Sequence, residues 1–217
     1  DVARQKSMHD ARRVVATTLT PENDFTGAIA IDRLSADTEW FYRVVDARSG
    51  APVSRTGSFR TAPSTPRPFS FAWSGDMQEQ YQPFRLFEAM GRRDPDFFLL
   101  LGDTVYADSP LAQFHPSLRH YRSKHYANRR DRHLQDFLLS HPTYAIWDDH
   151  EFSDNCWQDR QTYDADDDQT PRTARRRAAN QAWFEYMPAD VTLDADNPSF
   201  DRKSTRLNSS HANISYA

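Results

Sequence analysis

One cysteine, Cys156, occurs in the 217 residues, so no internal disulfide can form and cysteine usage leaves the redox compartment undecided. No apolar run approaches membrane length, which excludes a helical membrane span. There is no Gly-rich phosphate loop and no Gly-x-Ser-x-Gly elbow, so neither a P-loop nor a serine-hydrolase reading has a starting point. Neither sign of charge dominates. The 27 Lys and Arg against 31 Asp and Glu give −4, which excludes a generally basic nucleic-acid binder, and no stable nucleic-acid partner is expected. A secretory signal is also lacking, and the chain opens on Asp1 rather than Met, so its start reads as truncated. What remains, 38% hydrophobic and 27% charged, is the composition of a soluble globular chain of one or two domains.

Residues 1–61 read as short strands. Stretches 14–19, 26–31, 38–45 and 57–61 are rich in β-branched and aromatic residues and are separated by polar turn clusters. That spacing predicts a small antiparallel β-sandwich with too few strands to close fully. Residues 62–68 hold three prolines in seven positions, which rules out a helix or central strand and marks a stiff linker. From Phe69 the pattern changes to strand, helix, strand, helix, strand: strands near 69–74, 97–101 and 144–147, a helix over 83–90, and one long helix over 118–139. A last helix is predicted from Pro171 to about Met187. This alternation implies an α/β fold with right-handed crossovers and an essentially parallel sheet over 69–200.

Residues 201–217 stand apart. They can be back-translated, in one frame, into the string of a common short-read sequencing adapter, so they are set aside as an artefact, together with the apparent sequons at Asn208 and Asn213.

The chemistry concentrates where the three strands end. The apolar run 97–101, read as buried on both faces, stops at Gly102-Asp103; the first strand stops at Gly75-Asp76, and the third at Asp148-Asp149-His150-Glu151. Ligands of open α/β sheets bind at this carboxyl edge. A Gly-Asp pair after a strand is by itself only a turn and a helix cap. Three at one sheet edge point instead to a metal cage in which Asp76, Asp103 and Asp149 offer oxygen to hard or borderline cations. Asp103, on the middle strand, is the candidate to bridge two ions. Tyr106 is close enough to turn its phenol toward the same ion, and Asp108 and Asn155 can add oxygen from adjoining loops. His150 can ligate metal or protonate a leaving oxygen. His9, His115, His120, His125, His133 and His141 lack a carboxylate at ligand spacing and are expected to face solvent. The basic segment from Arg119 to Arg132 reads as a solvated helix face, the acidic run 164–168 as a surface loop, and Cys156 as an indifferent thiol.

With these motifs in hand, the chain resembles the PhoD-type alkaline phosphatases of the wider metallophosphoesterase group. The resemblance rests on Ser74-Gly-Asp76, Leu101-Gly-Asp-Thr-Val-Tyr-Ala-Asp108, the helix with Tyr121, Arg122, Tyr126 and Arg130, and Trp147-Asp-Asp-His-Glu151 followed by Asp154-Asn155. Leu34-Ser-Ala-Asp-Thr-Glu-Trp-Phe-Tyr-Arg-Val44 resembles a fibronectin type III signature, with Trp40 where Tyr is usual. The resemblance implies a partial metallophosphatase-like βαβαβ domain behind a partial fibronectin type III-like β-sandwich. It implies hydrolysis of phosphate mono- and diesters with divalent or trivalent ions, Fe and Ca foremost, and a periplasmic or secreted parent protein. By it Asp103 bridges the ions, Tyr106 meets the iron-like one, Asp149 replaces the asparagine of a Gly-Asn-His motif, and His150 serves the leaving group. Two departures are notable. Some members have a cysteine where Asp76 stands, and the family's later ligands have no counterpart before the tail, so this polypeptide is expected to be inactive. The competing readings are a nuclease or phospholipase using the same cage, and a non-catalytic module recognising a cell-wall polymer. Oligomeric state and natural substrate are not legible.

Overall fold

The computed structural model describes residues 1–14, 17–110, 117–156, 160 and 172–187, and the backbone of 212–216. Its strands are β1 (Val2–Ala3), β2 (Gly27–Ile31), β3 (Glu39–Tyr42), β4 (Gly57–Arg60), β5 (Phe71–Ser74), β6 (Phe97–Leu100), β7 (Thr143–Ala145) and β8 (Ala212–Tyr216). The helices are α1 (Leu86–Gly91), α2 (Leu118–Arg129), α3 (Arg132–Leu138) and α4 (Thr173–Tyr186).

In the N-terminal region β1, β3 and β4 form an antiparallel sheet over a core of Val2, Ile31, Trp40, Tyr42 and Phe59. The strand expected over 14–19 is not formed at Val14 or at 17–19. β2 pairs antiparallel with β8, a partner that the sequence reading leaves out of the fold. A sheet edge offers unpaired amides and carbonyls to any extended segment, which is the physical basis of such pairing. The region docks on the rest of the chain through β3 and β4: the Ser58 N–H and the Tyr42 O–H both donate to the Leu139 carbonyl, at 3.0 and 3.2 Å. Gly57 permits that approach, because a Cβ there would lie 2.5 Å from both the Leu139 oxygen and the Tyr42 ring.

Strands β5, β6 and β7 form the parallel sheet, with Ser74 beside Leu100 and Leu100 beside Ala145, so their carboxyl ends lie level. One face carries the core of Met77, Phe84, Phe87, Phe98, Leu100, Leu134, Phe137, Trp183 and Met187 beneath the helices. The opposite face corrects the expectation of a strand buried on both sides. Phe71, Trp73, Tyr144 and Ile146 are exposed, and Phe71 stacks on Phe97 with ring centroids 5.5 Å apart. Among the described residues no second layer covers this face, although parallel sheets normally bury both.

The single long helix predicted over 118–139 is two. Asp131 ends the first and caps the second, its carboxylate accepting from the Leu134 amide and from the distant Phe84 amide, each at 3.0 Å. On α2, Tyr121 is buried and Tyr126 is exposed. The last helix starts at Thr173, and Pro171 lies outside the described residues, as do His115 and the acidic run 164–168.

His125 and His141 overturn the solvent-facing expectation. His141 is buried and its Nδ1 lies 2.8 Å from the Phe137 carbonyl. His125 is 1% exposed between α2 and α4 and stacks on Tyr186, and neither ring nitrogen has a hydrogen-bond partner among the described residues. Burial, followed by the charge of Arg129, pushes it down to about 3. An unfolded histidine titrates near 6.5, so the unfolded chain gains a proton that the native chain refuses. The stability from this neutral ring is complete above about pH 6.5 and is lost as pH falls toward 3, by at most about 1.4 kcal/mol per pH unit. The urea midpoint of wild type should therefore fall relative to that of His125→Phe on acidification from about pH 7 to about pH 5. Parallel curves would show that His125 does not set the slope.

Candidate metal centre

The level carboxyl ends of β5, β6 and β7 bring the predicted residues to one place. Ligand atoms of Asp103, Asp149 and His150 lie within 4.8 Å of one another. Asp76 joins through Tyr106, whose hydroxyl donates to Asp76 Oδ1 at 2.8 Å and to Asp103 Oδ2 at 3.4 Å. The Tyr106 ring stacks on His150 with centroids 4.0 Å apart. Asn155 reaches the group through its backbone: its amide donates to the Asp149 carboxylate, while its side-chain nitrogen donates to Asp154 at 3.0 Å.

The backbone is unusual at these positions. Asp76, Asp103 and Asn155 all have positive φ (54°, 49° and 51°), the left-handed region that Asp and Asn enter more readily than other L-residues. Tertiary contacts hold them there, with the Met77 amide donating to the Asp103 carbonyl at 2.8 Å.

Burial, opposed by His150 and reinforced by the charges of Asp149 and Asp148, pushes the Asp103 carboxyl up to about 6. The Tyr106 phenol is raised far above its ordinary range, first by burial and then by its bond to Asp76, so it stays a neutral donor. Burial works against a charge on His150, but the bond to Asp108 and the charges of Asp108, Asp103 and Asp149 prevail and push it up to about 9. Asp108 is itself buried and sets both its oxygens 2.9 Å from His150 Nδ1 while also accepting the Asp154 amide. Its carboxylate thus faces the imidazole, where the sequence had suggested a loop oxygen for metal.

Two residues of this site escape sequence reasoning. Glu151 is fully buried and receives backbone amides from both strand ends. A carboxylate in a run of four titratable residues gives no sequence sign of burial. Asn128, on α2, is 2% exposed and donates to the carbonyls of Met77 at 2.6 Å and Thr104 at 2.8 Å, tying the loops after β5 and β6 to the helix. The only hint for Asn128 was a helical residue of poor propensity. The basic segment is partly structural too: Lys124 is buried and pairs with Glu79 at 2.7 Å, and Arg122 forks onto Glu185. Cys156 is half-buried, its sulfur 3.4 Å from Arg176, and burial raises its thiol pKa.

The donor set suits a cation. It is carboxylate, phenol and imidazole with no thiolate, which favours oxygen-preferring ions over soft ones. The clustered carboxylates repel one another unless positive charge lies between them.

The sequence model of the PhoD-like phosphatase family matches residues 71–207, and that of its N-terminal domain matches 1–63. Alkaline phosphatase D of Bacillus subtilis (strain 168) is 24% identical over 187 residues, covering 78% of this chain. The chain spans 31% of that protein's length. The solved structure of PhoD superposes with a TM-score of 0.76 at 22% identity, over 92% of this chain and 40% of its own, a likeness that establishes the fold.

Proposed function

The chain belongs to the PhoD-like phosphatase family, and on that premise we propose that its site serves the metal-dependent hydrolysis of phosphate mono- and diesters in a metallophosphatase-like domain. The N-terminal sheets would form a partial fibronectin type III-like sandwich in front of it. The observation that carries the reading is the convergence of Asp103, Asp149 and His150 from two strand ends, with Asp76 joined from a third through Tyr106.

Asp76, Asp103, Tyr106, Asp149 and the Asn155 loop would hold the cations, with Asp103 the carboxylate best placed to be shared. Fe and Ca are the ions that the resemblance and the hard donor set favour. Bound there, such ions supply Lewis acidity toward the phosphoryl oxygens and a water nucleophile at neutral pH. His150 would hold the proton that the departing oxygen needs. Asp108 fixes its Nδ1 and the Tyr106 ring fixes its plane. Through its hydroxyl, Tyr106 would orient Asp76 and Asp103.

Because the chain spans 31% of its curated relative, the full reaction is assigned to a longer protein, periplasmic or secreted by resemblance. This polypeptide is expected to bind cations without turning over phosphate esters. Titration calorimetry with Ca²⁺, Mn²⁺ and Fe³⁺, beside a phosphodiester assay, tests both halves. Binding with no turnover is the expected result. Absence of any cation binding would sink the metal-centre reading, and metal-dependent turnover would sink the inactivity.

A further inference from the structure

We propose that Glu151 is a positioning residue whose buried carboxylate clamps the ends of β6 and β7 together and thereby sets the spacing between Asp103 and Asp149. The inference rests on the metal-centre reading above. Glu151 is 0% exposed. Its Oε2 accepts the Asp103 amide at 3.1 Å and the Asp148 amide at 3.0 Å, so a single oxygen joins the two arms. Its Oε1 accepts the Thr104 amide at 2.6 Å and the Thr104 hydroxyl at 2.7 Å. All four donors belong to the ligand-bearing residues or their immediate neighbours.

A carboxylate suits this task because it only accepts. Three of the four donors are backbone N–H groups, which cannot reverse polarity. A glutamine could not imitate it. With its NH₂ toward Asp103 and Asp148 it opposes two amides, and flipped it opposes the Thr104 amide. Each orientation leaves buried donors facing each other, with no acceptor for the amide concerned. An apolar residue would orphan all three amides. Burying an anion is expensive in itself, so the clamp is better explained by geometry than by net stability.

The test compares wild type with Glu151→Gln and Glu151→Asp in the 217-residue chain. Mn²⁺ affinity is read by calorimetry, and amide hydrogen exchange at Asp103, Thr104 and Asp148 is read by NMR. Outer partners of metal ligands are worth 10–100-fold in metal affinity, so Glu151→Gln should weaken Mn²⁺ binding by about that factor. The three amides should lose protection while those of α2 and α4 keep theirs. Glu151→Asp retains the charge but is one methylene short of spanning both arms; it covers the case in which the Gln variant does not fold, and should lose affinity on the same scale. Wild-type affinity in a folded variant, or unchanged protection of the three amides, overturns the proposal. Should wild type bind no Mn²⁺, the metal-centre reading fails and the exchange data alone decide the clamp.

Discussion

Gly102→Ala should cost about 3 kcal/mol of stability, the sum of a left-handed alanine and a steric overlap. Gly102 has φ +92°, and a Cβ on it would lie 2.4 Å from the Asp148 Cβ and 3.1 Å from the Asp148 nitrogen. Neither neighbour can give way cheaply. The Asp148 amide is held by Glu151, and the next residue, Asp149, converges with Asp103 and His150 in the proposed cation site. The substitution therefore drives apart the two strand ends that the site needs together, and cation binding should fall along with stability. Urea unfolding measures the first effect as a drop in midpoint at unchanged slope. A loss below about 1 kcal/mol would mean that the loop absorbs the methyl group and that the close approach of β6 and β7 is not enforced.

Asp103→Asn should separate the two effects. Asn is nearly isosteric and can still accept from the His150 amide, which Asp103 Oδ1 does at 3.2 Å. It carries no charge for a cation, however, and offers one oxygen in place of two. Cation affinity should fall on the order of 100-fold or more, since even outer partners of ligands are worth 10–100-fold. Without metal the sign reverses. Asp103 is 9% exposed and crowded by Asp149 and Asp148, so removing its charge relieves repulsion, and the metal-free variant should melt higher than wild type at about pH 8. Added Ca²⁺ or Mn²⁺ should raise the melting temperature of wild type and leave the variant unmoved. A variant that gains as much from metal as wild type would remove Asp103 from the centre.

These two substitutions also mark how far the sequence could be read. That Asp76, Asp103 and Asp149 share one sheet edge was legible because each follows a short apolar strand, and strands of a parallel sheet that start level end level. Tyr106 was singled out from its distance along the chain to Asp103, and His150 from its position at a strand end. The helix break at Asp131 was not found. Periodicity runs straight through 118–139, and one of the two amides that Asp131 caps belongs to Phe84, 47 positions away. His125 went unrecognised because its burial depends on α4, a distant helix whose Tyr186 ring stacks on it. The bare face of β5, β6 and β7 was hidden for a related reason: an apolar run reads as buried whether or not a second layer is there to cover it.

What the sequence determined by itself is the set of donors and the edge they occupy, because strand period and strand ends are local properties of the chain. The tertiary structure alone decided where each carboxylate goes: Asp103 and Asp149 converge, Asp108 holds His150, and Glu151 gathers the amides behind them. Four acidic side chains of similar chemistry take different roles because burial and hydrogen-bond partners follow from long-range packing, to which local residue type is blind.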